Sequence, residues 1–246
     1  MKSILLVPLF ILFIAPGYTQ EIHLTENIFR QVYLVQYGNT YGSSFIIDIN
    51  NKEFLITAAH LFPNISNNSE LEITIYDENK SDKNKIRLYK HSDPSIDIAV
   101  IVLPKPIKKM KPLITGGSIE TGQNLLFLGY PILNGQLFAT QDPTFGIRAL
   151  VKKAMLAGVV KKNDYYLMLL DGHNNSGFSG GPVIGYDKKT DKNVIVGVIS
   201  GYIYETKKVY DDNKSPTLNY DDNSGIILSY SIDLAYRIID ENQLAK

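Results

Sequence analysis

A histidine, an aspartate and a serine, each in a short segment of distinctive texture, are the residues whose types can do chemistry together. Thr57-Ala58-Ala59-His60-Leu61 closes a strand-like run, and Asp97-Ile98-Ala99-Val100 opens another. Gly177-Phe178-Ser179-Gly180-Gly181-Pro182 frames one serine with three glycines and a proline. A serine hydroxyl is a poor nucleophile at neutral pH until a base takes its proton, and imidazole is the natural base. A carboxylate fixes the imidazole tautomer and stabilises the imidazolium that forms. The glycines, lacking Cβ, let backbone N–H groups turn toward one point, so the amides of Gly177 and Ser179 can hold a developing oxyanion. A lone histidine after a strand is usually structural, and an aspartate opening a strand is commonplace. The glycine-framed serine is seldom needed for packing alone. In the order His60, Asp97, Ser179, separated by 37 and 82 residues, the three form one constellation.

The elements that must position them are strands. Runs rich in Val, Ile, Phe and Tyr, broken by Asn, Gly, Pro or Ser, predict strands over 31–36, 44–49, 53–57, 71–76, 85–90 and 97–103. Asn50-Asn51 suits a tight hairpin, because asparagine tolerates positive φ. The stretch 104–112, with three prolines and four lysines, cannot be a central strand and reads as a connector with a solvated lysine face. Strands resume over 124–128, 145–151, 154–161, 165–170, 193–200 and 226–230, and Ser231 can cap a helix with Ile232, Ala235, Ile238 and Ile239 on its apolar face. The fold expected is all-β: two six-stranded antiparallel barrels with a C-terminal helix, the first over 20–103 and the second over 113–246. No internal repeat is visible in the sequence.

Composition narrows the chemistry. The chain has 246 residues, 44% of them hydrophobic, with 25 basic and 25 acidic side chains and no cysteine. That is an ordinary globular composition, and its charge balance argues against a nucleic-acid binder that relies on a strong overall positive field. Without cysteine there are no disulfides, thiolate zinc sites, iron–sulfur clusters or thiol nucleophiles. No cofactor and no metal is called for. Residues 1–19 read as a secretory signal: a short basic start, an apolar run from Ile4 to Ala15 too short for a bilayer core, and small residues at Gly17 and Thr19. An uncleaved anchor is the alternative. The mature chain is expected to start near Gln20, in a secreted or periplasmic setting and without stable membrane insertion.

The segments T-A-A-H, D-I-A-V and G-F-S-G-G-P resemble the three signature blocks of chymotrypsin/trypsin-like serine peptidases. The cysteine-free form is most similar to the bacterial branch with the V8-like and HtrA-like proteases. The resemblance runs from about Tyr33 to Tyr236, with Gly42-Ser43-Ser44-Phe45, Leu128-Gly129-Tyr130-Pro131 and Gly197-Val198-Ile199-Ser200-Gly201 as further landmarks. It implies His60 as general base, Asp97 as its orienter, Ser179 as nucleophile, and the Gly177 and Ser179 amides as oxyanion hole. Ser200 would help hold Asp97, and the backbone of Ser200, Gly201 and Tyr202 would pair with an extended protein or peptide substrate. The active site would lie in the cleft between the barrels.

Departures from the family pattern bear on regulation and specificity. Phe178 stands where animal members carry the aspartate that pairs with a freshly cut N-terminus, and Ser44 replaces the second glycine of the common G-S-G-F block. No PDZ domain is expected, because the second barrel takes up the 67 residues after Ser179. The position six before the nucleophile, at the base of the family's specificity pocket, is His173 rather than a Lys- or Arg-selecting aspartate. Ile199 stands where glutamate-selective relatives have histidine. His173 would be a pocket-wall residue or a selector of acidic side chains.

The stretch 206–224, with Asp211, Asp212, Asp221 and Asp222, reads as a solvated loop rather than a calcium site. The N-x-S sequons at Asn64, Asn67 and Asn174 fit chance in an asparagine-rich chain. The function expected is an exported serine endopeptidase working through an acyl-enzyme; the alternative is a non-catalytic binding protein on the same scaffold.

Overall fold

The computed structural model describes residues 22–77, 80–107, 110–134, 136–142, 146–212 and 214–246. The expected leader lies outside them, as do Lys108 and Lys109 of the connector. Six strands form the first closed barrel: β1 (Val32–Tyr37), β2 (Thr40–Ile49), β3 (Lys52–Thr57), β4 (Ser69–Asp77), β5 (Lys80–Lys90) and β6 (Ala99–Val102). The second barrel closes from β7 (Asn124–Gly129), β8 (Leu150–Lys162), β9 (Tyr165–Asp171), β10 (Pro182–Asp187), β11 (Lys192–Tyr210) and β12 (Pro216–Ser231). Around both barrels the strand order is the same, 1-2-3-6-5-4, counting from each barrel's first strand. Two short hairpins, Ile132–Leu133 with Gln136–Leu137 and Thr140–Asp142 with Gly146–Arg148, lie between β7 and β8.

Period-two alternation explains why apolar strands wrap into barrels that also touch each other. Along β2, β3 and β6, Ile46, Leu55 and Ile101 point into the first barrel, where they join Tyr33, Ile73 and Leu88. Their neighbours Phe45, Ile47, Phe54, Ile56 and Val100 face outward into a second cluster with Leu128, Tyr130, Ile184, Val198 and Tyr230 of the other barrel. These strands therefore read as continuous apolar runs, because both faces are buried. The second barrel has its own filling of Phe127, Leu156, Leu170, Phe178, Val183 and Ile227.

Helix α1 (Glu26–Phe29) precedes β1, and α2 (Asp233–Glu241) follows β12 and returns to β6 of the first barrel. Ile232, Ala235, Ile238 and Ile239 are all buried against the inter-barrel cluster. Ser231 sits one place outside the cap position, which Ile232 occupies, and its hydroxyl accepts the Asp233 N–H at 3.3 Å. Asn50 and Asn51 adopt φ of 55° and 62° between β2 and β3, as a two-residue hairpin of that type requires.

Three elements differ from expectation. The break expected between 151 and 154 is absent: β8 runs through Lys152 and Lys153, because Lys152 lays its stem toward Phe178 and donates to Asn175 Oδ1 at 2.6 Å. β10, short and led by Pro182, carried no strand signal. Residues 206–224 are not a loop: β11 and β12 continue beyond the barrel as a paired arm, with Thr206 donating to Asp221 and Lys207 to Asp222 across it. The acids expected to face solvent together are thus spread along a ribbon and partly engaged by their cross-strand neighbours. No helix among the described residues is long and apolar enough to cross a membrane.

Candidate active site

β3 ends in a single 3₁₀ turn, Ala59–Leu61, which carries His60 out of the first barrel while Ala58 and Leu61 stay buried as its anchors. Asp97 lies two residues before β6, ahead of the strand expected to contain it. Its carboxylate holds His60 at two points: Oδ1 accepts the His60 backbone N–H at 2.7 Å, and Oδ2 meets Nδ1 at 2.7 Å. With a proton on Nδ1 facing the carboxylate, Nε2 carries the lone pair. The Ser200 hydroxyl donates to the same Oδ2. Burial alone would raise the Asp97 carboxyl, but the His60 ring, the Ser200 hydroxyl and the His60 N–H together outweigh it and hold the group below the usual carboxylate range.

Ser179 comes from the β9–β10 loop of the second barrel. Its hydroxyl donates to the Ser200 carbonyl oxygen at 2.9 Å. The structure thus brings His60, Asp97, Ser200 and Ser179 into one hydrogen-bonded set drawn from both barrels. Gly177 and Gly180 have φ of 94° and 85°. A Cβ on Gly180 would collide with the Ser43 carbonyl, and one on Gly177 with the Tyr130 carbonyl. Only glycine fits there.

Two amides in this loop have their carbonyl partners tied elsewhere. The Ser176 carbonyl accepts from Ile132 N–H at 2.8 Å, and the Phe178 carbonyl from Gly181 N–H at 2.9 Å. Across a trans peptide the N–H points the opposite way. The N–H groups of Gly177 and Ser179 are therefore turned from those contacts, and neither has a hydrogen-bond partner among the described residues.

Sequence reasoning named Ser43 only as part of a landmark, yet it fastens this loop to the first barrel. Fully buried on β2, it donates from Oγ to the Gly177 carbonyl at 2.6 Å and accepts the Tyr130 N–H at 2.9 Å. Its own N–H donates to the Ser179 carbonyl at 2.8 Å, and its carbonyl accepts the Thr57 hydroxyl at 2.7 Å. The signal available was its place, beside Ser44, directly before the apolar run Phe45-Ile46-Ile47 of the same strand.

Ser200, Gly201 and Tyr202 lie half-buried beside Ser179, and the Tyr202 ring is 4.7 Å from that of Tyr204. His173 is exposed, close enough to Asp222 to lower that carboxyl's pKa along with the stronger Lys207 and Asn223 contacts. The loop turns its neighbour inward instead: Asn174 is 2% exposed. A surface cavity of about 590 Å³ lies between Leu71, Ile86, Arg87, Val102 and Pro104 on the first barrel, and none of its lining belongs to the His60–Ser179 set.

Two closed barrels of one strand order, with a histidine–aspartate pair on the first and a glycine-framed serine on the second, define a class that comparison with known proteins also gives. The trypsin-like peptidase domain matches residues 42–198, well over half of the chain; the protein belongs to that family and is a serine-type endopeptidase. No curated protein sequence matches it. Among solved structures it is similar in fold to a serine endoprotease from Yersinia pestis, at a TM-score of 0.57 and 14% identity, covering 90% of this chain and 67% of that one. The active form of the Rv3671c protease from M. tuberculosis gives 0.56 and 16%, covering 87% and 81%. The HtrA-type protease AlgW with a tripeptide gives 0.54 and 17%, covering 87% of this chain and 60% of that one.

Proposed function

We propose that the protein is an exported endopeptidase that cleaves through an acyl-enzyme, with Ser179 as nucleophile, His60 as general base and Asp97 as its orienter. The observation that carries this reading is the continuous set of hydrogen bonds from His60 through Asp97 and Ser200 to the Ser179 hydroxyl. Rotation about the Cα–Cβ bond turns that hydroxyl from the Ser200 carbonyl toward His60 Nε2. Oγ then attacks the substrate carbonyl as Nε2 takes its proton, and Asp97 stabilises the imidazolium. The charge arriving on the substrate oxygen is met by the two unengaged amides, Gly177 and Ser179. His60 returns the proton to the leaving amine, the amine departs, and a water activated by the same imidazole hydrolyses the acyl-enzyme. The backbone of Ser200 to Tyr202 pairs with the extended substrate. The Ser200 carbonyl that holds the resting hydroxyl is then the acceptor a substrate N–H takes over, so binding itself frees the nucleophile.

The same reading divides the chain into a first barrel over 20–103, a connector over 104–112 and a second barrel over 113–246. Residues 1–19 are the leader of a secreted or periplasmic protein, with Gln20 as the expected first residue of the exported form by N-terminal sequencing. The test of the chemistry is Ser179→Ala. It is expected to abolish labelling by a fluorophosphonate probe and to lower kcat by about 10⁴ to 10⁶. Parental turnover by that variant would remove Ser179 from the mechanism.

A further inference from the structure

The β9–β10 loop does more than present Ser179: it fills the space where the residue before the scissile bond must put its side chain. That residue has its carbonyl at Ser179 Oγ and the free amides, and its N–H at the Ser200 carbonyl, so its side chain is directed between Gly201 and the 173–176 segment. Asn174 already occupies that gap. Its Nδ2 donates to the Gly201 carbonyl at 3.4 Å, its Oδ1 accepts the Asn175 N–H at 2.9 Å, and its own carbonyl accepts Asn223 Nδ2 at 2.8 Å. Behind it the Gly172 N–H donates to the Gly225 carbonyl at 2.9 Å and closes the far end. Among the described residues no charged side chain is buried there: Asn174 is the buried polar residue of the loop, and His173 is exposed. A long side chain would have to displace the Asn174 amide from its partners, and a charged one would enter without a counter-charge.

We infer that Asn174 is the specificity-determining residue and that the protein cleaves after small uncharged residues, glycine, alanine or serine, in an extended peptide. This rests on the endopeptidase mechanism proposed above, so the experiment reads the two separately. Denatured casein is digested and its cleavage sites mapped by mass spectrometry, in parallel with fluorophosphonate labelling of Ser179. Then kcat/KM is measured for peptide p-nitroanilides ending in Ala or Phe, with the parent and with Asn174→Ala. The parent is expected to cut after small residues and to favour Ala over Phe by about 10-fold or more, and Asn174→Ala to narrow that ratio by about 10-fold. The parent's cleavage map decides by itself if the variant does not fold. A labelled enzyme that does not favour small residues overturns the inference and leaves the serine chemistry standing. Absence of both labelling and cleavage overturns the inference together with the mechanism beneath it.

Discussion

Replacing Ser43 by alanine tests whether the two barrels hold the catalytic loop through one hydroxyl. That hydroxyl satisfies two buried groups, the Gly177 carbonyl at 2.6 Å and the Tyr130 N–H at 2.9 Å. Bulk water reaches neither, because Ser43 is fully enclosed and Tyr130 is 3% exposed. A buried polar group left without a partner costs about 1–3 kcal/mol, so the variant is expected to lose about 2–6 kcal/mol. That is a large share of the roughly 5–15 kcal/mol that holds a typical domain folded. With a urea m-value of about 2–3 kcal/mol/M, the midpoint drops by roughly 0.7–3 M. The chain has no tryptophan and sixteen tyrosines, so tyrosine fluorescence and far-UV circular dichroism follow the transition. The remaining backbone bond from Ser43 N–H to the Ser179 carbonyl, at 2.8 Å, keeps the loop docked below that midpoint. What loosens is Gly177, whose carbonyl Ser43 holds and whose N–H, in the preceding peptide, is a proposed oxyanion-hole donor. Loss of one such donor lowers kcat by about 10² to 10³, which sets the ceiling, and KM is expected to move much less. Parental kcat together with a parental urea midpoint would refute the reasoning.

Two further outcomes follow from the same geometry. Because the Asp97 carboxyl is held below its ordinary value in the fold, it contributes stability that is fully present above about pH 4 and is lost as pH falls through the folded-state value. The urea midpoint of the parent is therefore expected to fall more between pH 5 and pH 3 than that of Asp97→Asn, and equal falls would contradict it. Gly180→Ala puts a Cβ into the Ser43 carbonyl at a φ of 85°, and is expected to cost more than about 4 kcal/mol and to prevent probe labelling of Ser179. Gly201→Ala, whose Cβ meets nothing within 4 Å, is the thermal-melt control expected to stay close to the parent.

The barrels were legible because both faces of their central strands are apolar, as Phe45-Ile46-Ile47 and Phe54-Leu55-Ile56 show. The equivalence of the two was not. The strand orders match while the sequences do not, because each barrel's outward residues answer to a different neighbour. His60, Asp97 and Ser179 could be picked out because nucleophile activation restricts residue types and the glycines mark unusual backbone. Ser43 and Asn174 escaped such reading, since a buried serine or asparagine is defined by partners distant in the chain: Ser43 meets Gly177 across 134 residues, and Asn174 meets Asn223 across 49. The direction of the His173 side chain was not legible for a related reason, as an irregular loop has no periodicity to reveal it. The arm was missed because its alternation is polar on polar, held by cross-strand bonds such as Thr206 to Asp221 rather than by burial.

That arm has a colloidal consequence. A two-stranded ribbon that leaves its barrel has bare margins on both sides, and bare margins are templates on which other molecules can stack. Tyr204, Val209, Leu218 and Tyr220, all exposed, would feed such stacking. Interspersed among them are Glu205, Lys207, Lys208, Asp221 and Asp222, together with irregularities in the pairing near Tyr202 and Val209 and a proline at the opening of β12. Like charges brought into register by an approaching copy repel it, and the kinks deny it a straight ladder. The polar tenor of this stretch, which hid its regular structure from sequence reading, also works against edge-to-edge stacking of the ribbon.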